Sequence, residues 1–199
     1  FLLPFIILSV NSWCGAVNKY VAIGSDGDGL SWATAKGSIK STVESCQAGD
    51  TVFIASGTYN EYISIVDGVS ILGGYNASTG ERDIERFETI LDGTDLGKYL
   101  LVKYDSPCEN PTLIEGLTLQ NAEHSSDGGG AYIRANITLS KCYITNCKGA
   151  NGAGVYNDGG VVKDCIIELC SATSSGGAIR NEGGIVENCI MRGNQGKYG

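Results

Sequence analysis

Two acidic side chains stand in register because the sequence repeats itself. Aligning Asn157-Asp158-Gly159-Gly160 with Asn181-Glu182-Gly183-Gly184 puts Asp158 directly under Glu182 at a turn, with Ala135 at the corresponding place one repeat earlier. If successive repeats stack as neighbouring strands, the two Cα atoms lie ~5 Å apart. Carboxylates so placed have two uses: binding a hard cation such as calcium, or acting as nucleophile and acid in retaining glycoside hydrolysis, which needs carboxyls ~5–5.5 Å apart. Arg180, two residues before Glu182, works against the second use, because a nearby cation favours the ionised carboxylate over the acid form. The plain alternative is a pair of solvated turn acids.

The same repeat sets Ile133, Tyr156 and Arg180 in one outward row, in which Tyr156 could stack on a sugar ring and Arg180 could hold acidic groups. An ordinary surface column competes with that reading. Asp26 and Asp28 in the glycine loop SDGDG are alternate carboxylates of the kind that ligate calcium, but no glutamate follows at EF-hand spacing, so a polar turn before Trp32 competes here. His124, the only histidine, sits in the polar stretch EHSSDGGG with no nucleophile beside it. The triplets NAS at 76–78 and NIT at 136–138 match glycosylation acceptors, a pattern common by chance.

Eight cysteines contain no C-x-x-C pair, and a single histidine leaves zinc almost no ligands to draw on. No metal or cofactor is required by these residues; calcium is the one ion they could take. A net charge of −8 and the lack of any Lys/Arg cluster exclude a nucleic-acid interface and an anionic-lipid surface, both of which need a positive face.

Whatever carries these side chains must repeat. GGAYIR at 129–134, GAGVYN at 152–157 and GGAIRN at 176–181 begin 23 and then 24 residues apart, and Cys142, Cys165 and Cys189 follow at the same intervals. Cys147, Cys170 and Asn194 come five residues later in each case, and Gly199 falls 23 residues after Gly176, as a further repeat would begin. The block Val162, Cys165, Ile167, Cys170 has the spacing of a leucine-rich repeat. The other half of the period, GG-A-I-R-N-E-GG, opposes a helix by about 1 kcal/mol per glycine. A second short strand fits instead, which makes the chain a parallel β-helix.

Alternation along the strands predicts the faces. Gly177, Ile179 and Asn181 point inward with Val155 and Tyr132; Ala178 and Arg180 point outward with Tyr156 and Ile133. Cys142 with Ile144, Cys165 with Ile167, and Cys189 with Met191 face the core. The cysteines form two ladders of mostly buried thiols, and Asn157 and Asn181 bond turn backbone along the stack. Upstream, TVFIASGTY, YISIVDGVSILGGY, ETILDG, YLLVKY and LIEGLTLQN are short apolar runs closed by Gly, Asp or Asn, and read as earlier, less regular rungs. Ile39, Val43 and Cys46 make the stripe of a short amphipathic helix. It caps the first rung, whose core and sheet edge would otherwise lie open.

Residues 1–16 are uncharged, with a short apolar run and then Cys14-Gly15-Ala16, and read as the remnant of a secretory signal peptide cleaved after Ala16. A lipidated Cys14 is disfavoured by Trp13, which stands where a small residue should precede it. Residues 17–199 form one domain: a cap over 17–50, irregular rungs over 51–127 and regular rungs over 128–199, truncated at the C-terminus. Twenty-nine glycines against three prolines fit frequent tight turns and neither a disordered linker nor collagen.

The order YVAIGSDGDGLSWATA, helix, AGDTVFIASGTYNEYISI, SILGGY, ETILDG, covering Tyr20 to Gly93, resembles the N-terminal part of exported bacterial β-helix proteins of the pectate-lyase-like group. The GGAI motif at Gly176 with the block from Cys189 to Asn194 resembles the repeats of polymorphic outer-membrane proteins. The resemblance implies an all-β, right-handed parallel β-helix solenoid with a short N-terminal capping helix, secreted or displayed on the outer cell surface, often with a C-terminal sorting or anchoring domain. It implies a non-enzymatic adhesion or glycan-contact module whose partner is a polysaccharide or a host or neighbour cell-surface ligand, with no transmembrane segment and a monomeric fragment. The alternative is a polysaccharide lyase or glycoside hydrolase, since the fold hosts both. Lyases of the group hold calcium with aspartates on one sheet beside an Arg or Lys base. Arg134 and Arg180 lie near one sheet here, but no column of three aspartates accompanies them.

Overall fold

The computed structural model describes residues 15–97, 100–103 and 108–198. The apolar run of residues 1–14 and the closing Gly199 lie outside the described residues, as do Tyr99 and Tyr104 at the ends of YLLVKY.

Short strands follow one another around three faces and then repeat the circuit. Sheet A takes Asn18–Val21, Thr51–Ala55, Ser70–Tyr75, Thr112–Glu115, Ile137–Ser140, Val161–Lys163 and Ile185–Glu187. Sheet B takes Gly57–Tyr59, Thr89–Asp92, Thr118–Gln120, Tyr143–Thr145, Ile166–Glu168 and Ile190–Arg192. Sheet C takes Ile63–Ser64, Val102–Lys103, Ala131–Arg134, Val155–Asp158 and Ile179–Asn181. A two-stranded ladder of Lys148–Gly149 and Ser171–Ala172 lies between B and C in the later coils. All of these pairings are parallel, so the chain is a parallel β-helix. The stretch 173–178 contains no helix, which disposes of the leucine-rich-repeat arrangement.

Corners explain the glycine content. The residues after sheet A (Gly116, Lys141, Asp164, Asn188), after sheet B (Asn121, Asn146, Leu169, Gly193) and before sheet C (Gly128, Gly152, Gly176) all have positive φ, each set aligned rung on rung. Glycine adopts that conformation freely, and asparagine and aspartate tolerate it. Leu169, at φ 57°, is the costly member of its column.

The core is a stack of inward columns. Val162, Cys165, Ile167 and Cys170 are all fully buried, as are Ile144 and Cys147, and Cys142 is 2% exposed. The cysteines among the described residues are free thiols. Hydrogen bonding from Cys142, then burial, pushes the Cys165 thiol well up, and Cys170 and burial do the same to Cys147, so both stay protonated. Asn157 is fully buried: its Oδ1 accepts from Gly160 N at 2.9 Å, and its Nδ2 donates to Asn181 Oδ1 at 2.8 Å. Asn181 repeats the motif by donating to Gly184 O at 2.8 Å. On the last rung Ile190 and Met191 are 54% and 48% exposed, because no described strand lies over them.

At the other end the helix Ile39–Glu44 buries Ile39, Thr42 and Val43, and packs on the first strands of sheets A and C. Ser38 is its N-cap, and the Glu61 carboxylate accepts from Ser38 Oγ at 2.6 Å and from the amides of Ile39 and Lys40. An anion on the free N–H groups of the first turn is the stabilising arrangement.

One expected register is corrected. Ala131, Tyr132, Ile133 and Arg134 pair with Val155, Tyr156, Asn157 and Asp158, an offset of 24 residues, whereas sheet A's Thr138 pairs with Val161, an offset of 23. The corner holding Ala135 is therefore one residue longer than its successor. Tyr132 points outward, and Ile133, not Tyr132, is fully buried. A slip of one residue exchanges the two faces of a strand.

Candidate functional site

The outer face of sheet C is an open strip, up to two side chains wide per rung. Register places Ser64, Lys103, Tyr132, Tyr156 and Arg180 in one column. The rings of Tyr132 and Tyr156 meet edge to face at 5.0 Å between centroids, with Arg134 Cζ 6.0 Å over the Tyr132 ring. Ile133, expected in this row, is in the core, and Tyr132 replaces it.

Arg134, not Ala135, is the neighbour of Asp158, and its Nε lies 2.5 Å from Asp158 Oδ2. Glu182 follows Asn181 one rung on and is held by Arg180, with Nε at 2.8 Å and Nη2 at 2.7 Å from Oε1. Arg180, and then the Tyr156 hydroxyl, hold the Glu182 carboxyl below its ordinary range. Burial, and then the bond to Glu182, push the Tyr156 phenol up to about 12. Asp158 and Glu182 thus stand on adjacent rungs as expected, but each is paired to its own arginine. Retaining hydrolysis needs one of the two as a protonated acid, which for Glu182 this pairing opposes.

The network continues sideways. Arg180 Nη1 donates to Ser175 Oγ at 2.8 Å, Ser175 N donates to Asn151 Oδ1 at 3.3 Å, and Asn151 Nδ2 donates to Asp127 Oδ1 at 2.8 Å. The strip is thus two rings packed edge to face and bordered by polar groups of fixed orientation. Its arginines are neutralised locally, so it presents directed donors and acceptors rather than net positive charge.

Asp28 is spent on its own turn: Oδ1 accepts from Leu30 N at 3.0 Å and from Thr34 Oγ1 at 2.7 Å, and those two bonds lower its carboxyl. Asp26 bridges to Lys36 through backbone. Among the described residues no three His, Cys, Asp or Glu side chains converge as a metal site. His124 Nδ1 sits 3.2 Å from the Asp127 carbonyl oxygen, within its own loop. Among the described residues no helix is long and apolar enough to cross a membrane.

Features not anticipated from the sequence lie elsewhere. On the outer face of sheet A, Tyr20, Trp32, Phe53 and Tyr75 close a ring of contacts at 5.0–5.6 Å, with Arg82 5.4 Å over Tyr75. Alternation in TVFIA signals that Phe53 points out; Tyr75 reaches the same face only because the alternation of SILGGY breaks at Gly73 and Gly74, where the register shifts, and nothing in the sequence brings Trp32 onto them. Two clefts form where loops leave the coil. One, of about 510 Å³, runs between Ile84, Glu85 and Glu88 and the Lys141–Tyr143 corner. The other, of about 550 Å³, lies under residues 93–97 at the corner after sheet B.

Known protein families, curated proteins and solved structures contain no match to this chain.

Proposed function

We propose that this chain is a non-enzymatic β-helix exposed outside the cell that contacts glycans through the outer face of sheet C. The carrying observation is the edge-to-face pair of Tyr132 and Tyr156, continued by Arg180 along the outer face of the sheet. Aromatic rings beside fixed polar groups suit a sugar, which offers an apolar face and a rim of hydroxyls. Because Arg134 and Arg180 each already hold a carboxylate, and the chain carries a charge of −8, neutral glycans are favoured over polyuronates. The uncharged N-terminal run and the resemblance of Tyr20–Gly93 to exported β-helix proteins support the location. The paired state of Asp158 and Glu182 favours binding over hydrolysis.

Affinity electrophoresis through gels containing neutral glucans, mannans or galactans, against polygalacturonate, tests this reading. A neutral polymer should retard the wild type and not Y132A/Y156A, and no reducing ends should be released. Retardation by polygalacturonate alone, equal retardation of the double variant, or sugar release abolished in D158N/E182Q would overturn it.

A further inference from the structure

The corner after sheet B carries a ladder of side chains that starts in an ionised carboxylate and ends, on the exposed Asn146, in an acceptor that faces solvent. Asp92 is its base. Burial raises its carboxyl, but bonds from Thr94, Gln120 and Asn121 outweigh that and bring it down to about 2. Asn121 Nδ2 donates to Asp92 Oδ1 and Oδ2 at 3.2 and 3.3 Å, and Asn146 Nδ2 donates to Asn121 Oδ1 at 2.7 Å. Each amide thus spends its N–H toward Asp92 and turns its carbonyl to the rung above. Leu169 takes the same corner position on the next rung, with φ 57° beside 58° for Asn121 and 52° for Asn146, and it has no donor. Asn146 Oδ1 accordingly has no protein donor among the described residues. A chain of amides ending in a carboxylate polarises each bond in turn and strengthens the last acceptor.

Asn146 and Asn121 line the cleft of about 550 Å³, together with Asp95, Glu123 and Lys148. Lys148 Nζ lies 3.8 Å from Glu123 Oε2. Among the described residues the lining holds no aromatic and no large aliphatic side chain, so they offer an apolar ligand little. Among the described lining residues two carboxylates stand against one ammonium, which makes a poor anion site. What remains is a ligand whose groups both donate and accept: a hydroxyl can donate to Asn146 Oδ1 while its neighbour accepts from Lys148.

We infer that this cleft is a binding site for a small polyhydroxylated ligand, a free sugar or a glycan end with vicinal hydroxyls, anchored on the Asn146 carbonyl. The site is separate from the sheet C strip and does not depend on it.

Saturation-transfer NMR with a panel of free hexoses, pentoses and linear polyols, on the full chain, tests the assignment. Asn146→Gly keeps the corner conformation and removes the acceptor; Leu169→Asn supplies the missing donor and caps the acceptor; Leu169→Gly is the control that relieves the corner without adding a donor. Saturable binding of at least one sugar should weaken about tenfold in N146G and in L169N, the loss of one directed bond. It should be unchanged in L169G and in Y132A/Y156A, and L169N should melt no lower than the wild type. Absence of saturable binding, equal affinity in N146G, or retention of affinity in L169N would overturn the site. Loss confined to Y132A/Y156A would also overturn it, by moving the sugar to the strip.

Discussion

The irregular coils before Gly128 and the regular coils after it use one cross-section in two ways. In the regular coils the interior is a set of repeated small fillers, Cys142 over Cys165 and Cys147 over Cys170, with Asn157 tying its turn. In the irregular coils the interior is larger and aliphatic, with Ile54, Ile71, Leu91, Leu101 and Leu119 each buried. The connections swell outward in those coils, and the walls of both large clefts come from their excursions at 84–88 and 93–97. The two larger clefts each take a wall from an irregular excursion, whereas the cleft formed by regular-coil residues alone, between 176–179 and 191–196, is smaller, at about 310 Å³.

The largest expected effect tests whether the two halves are equally well packed. Leu91→Ala and Ile167→Ala remove fully buried side chains from the irregular and the regular half. Each should cost about 2–5 kcal/mol by urea unfolding. A cost below 1 kcal/mol for Ile167→Ala alone would show that the regular coils are loosely stacked.

Next is the polar core of the regular half. Asn157→Ala leaves the buried Gly160 N–H without its partner and should cost about 1–3 kcal/mol. Hydrogen exchange should show the opening concentrated in residues 157–161 and not in the irregular coils.

A gain is expected at Leu169, which is 60% exposed and buries little. Leu169→Gly should raise stability by about 1 kcal/mol by removing the strain of a left-handed conformation. A destabilised variant would mean that the packing of the half-exposed Leu169 side chain outweighs that strain.

The smallest effect is the pH dependence that Asp92 contributes to the irregular half. The Asp92 carboxyl lies at about 2 when folded, below its ordinary 3.8. A depressed carboxylate contributes stability above the unfolded value and loses it as pH falls through the folded one. The wild type should therefore weaken between about pH 4 and pH 2 more steeply than Asp92→Asn. Equal slopes would remove Asp92 from the ladder.

Much of this was legible beforehand. The glycine and cysteine periods gave the coil length, and alternation placed the cysteines, Ile144, Ile167, Asn157 and Asn181 inward. The Ile39, Val43 stripe gave the capping helix. The strip is half legible: repeat spacing sets Tyr156 and Arg180 on it, but exchanges Tyr132 with Ile133 and puts Ala135 where Arg134 stands. Alignment on Gly129 hid the longer corner, although Gly128, Gly152 and Gly176, at a constant spacing of 24, mark the true register.

What the sequence determined by itself is what depends on local spacing: the coil period, which residues of a strand share a face, and the helix that closes the first rung. Period-two alternation and turn chemistry act within a few residues, so they can be read along the chain. Only the tertiary structure decided which rung residues touch, because one extra corner residue shifts a strand by a place and exchanges its faces. It alone paired Asp158 with Arg134 and left the Asn146 carbonyl open beneath Leu169, since those partners lie 23 or 24 residues apart and meet only when coils stack.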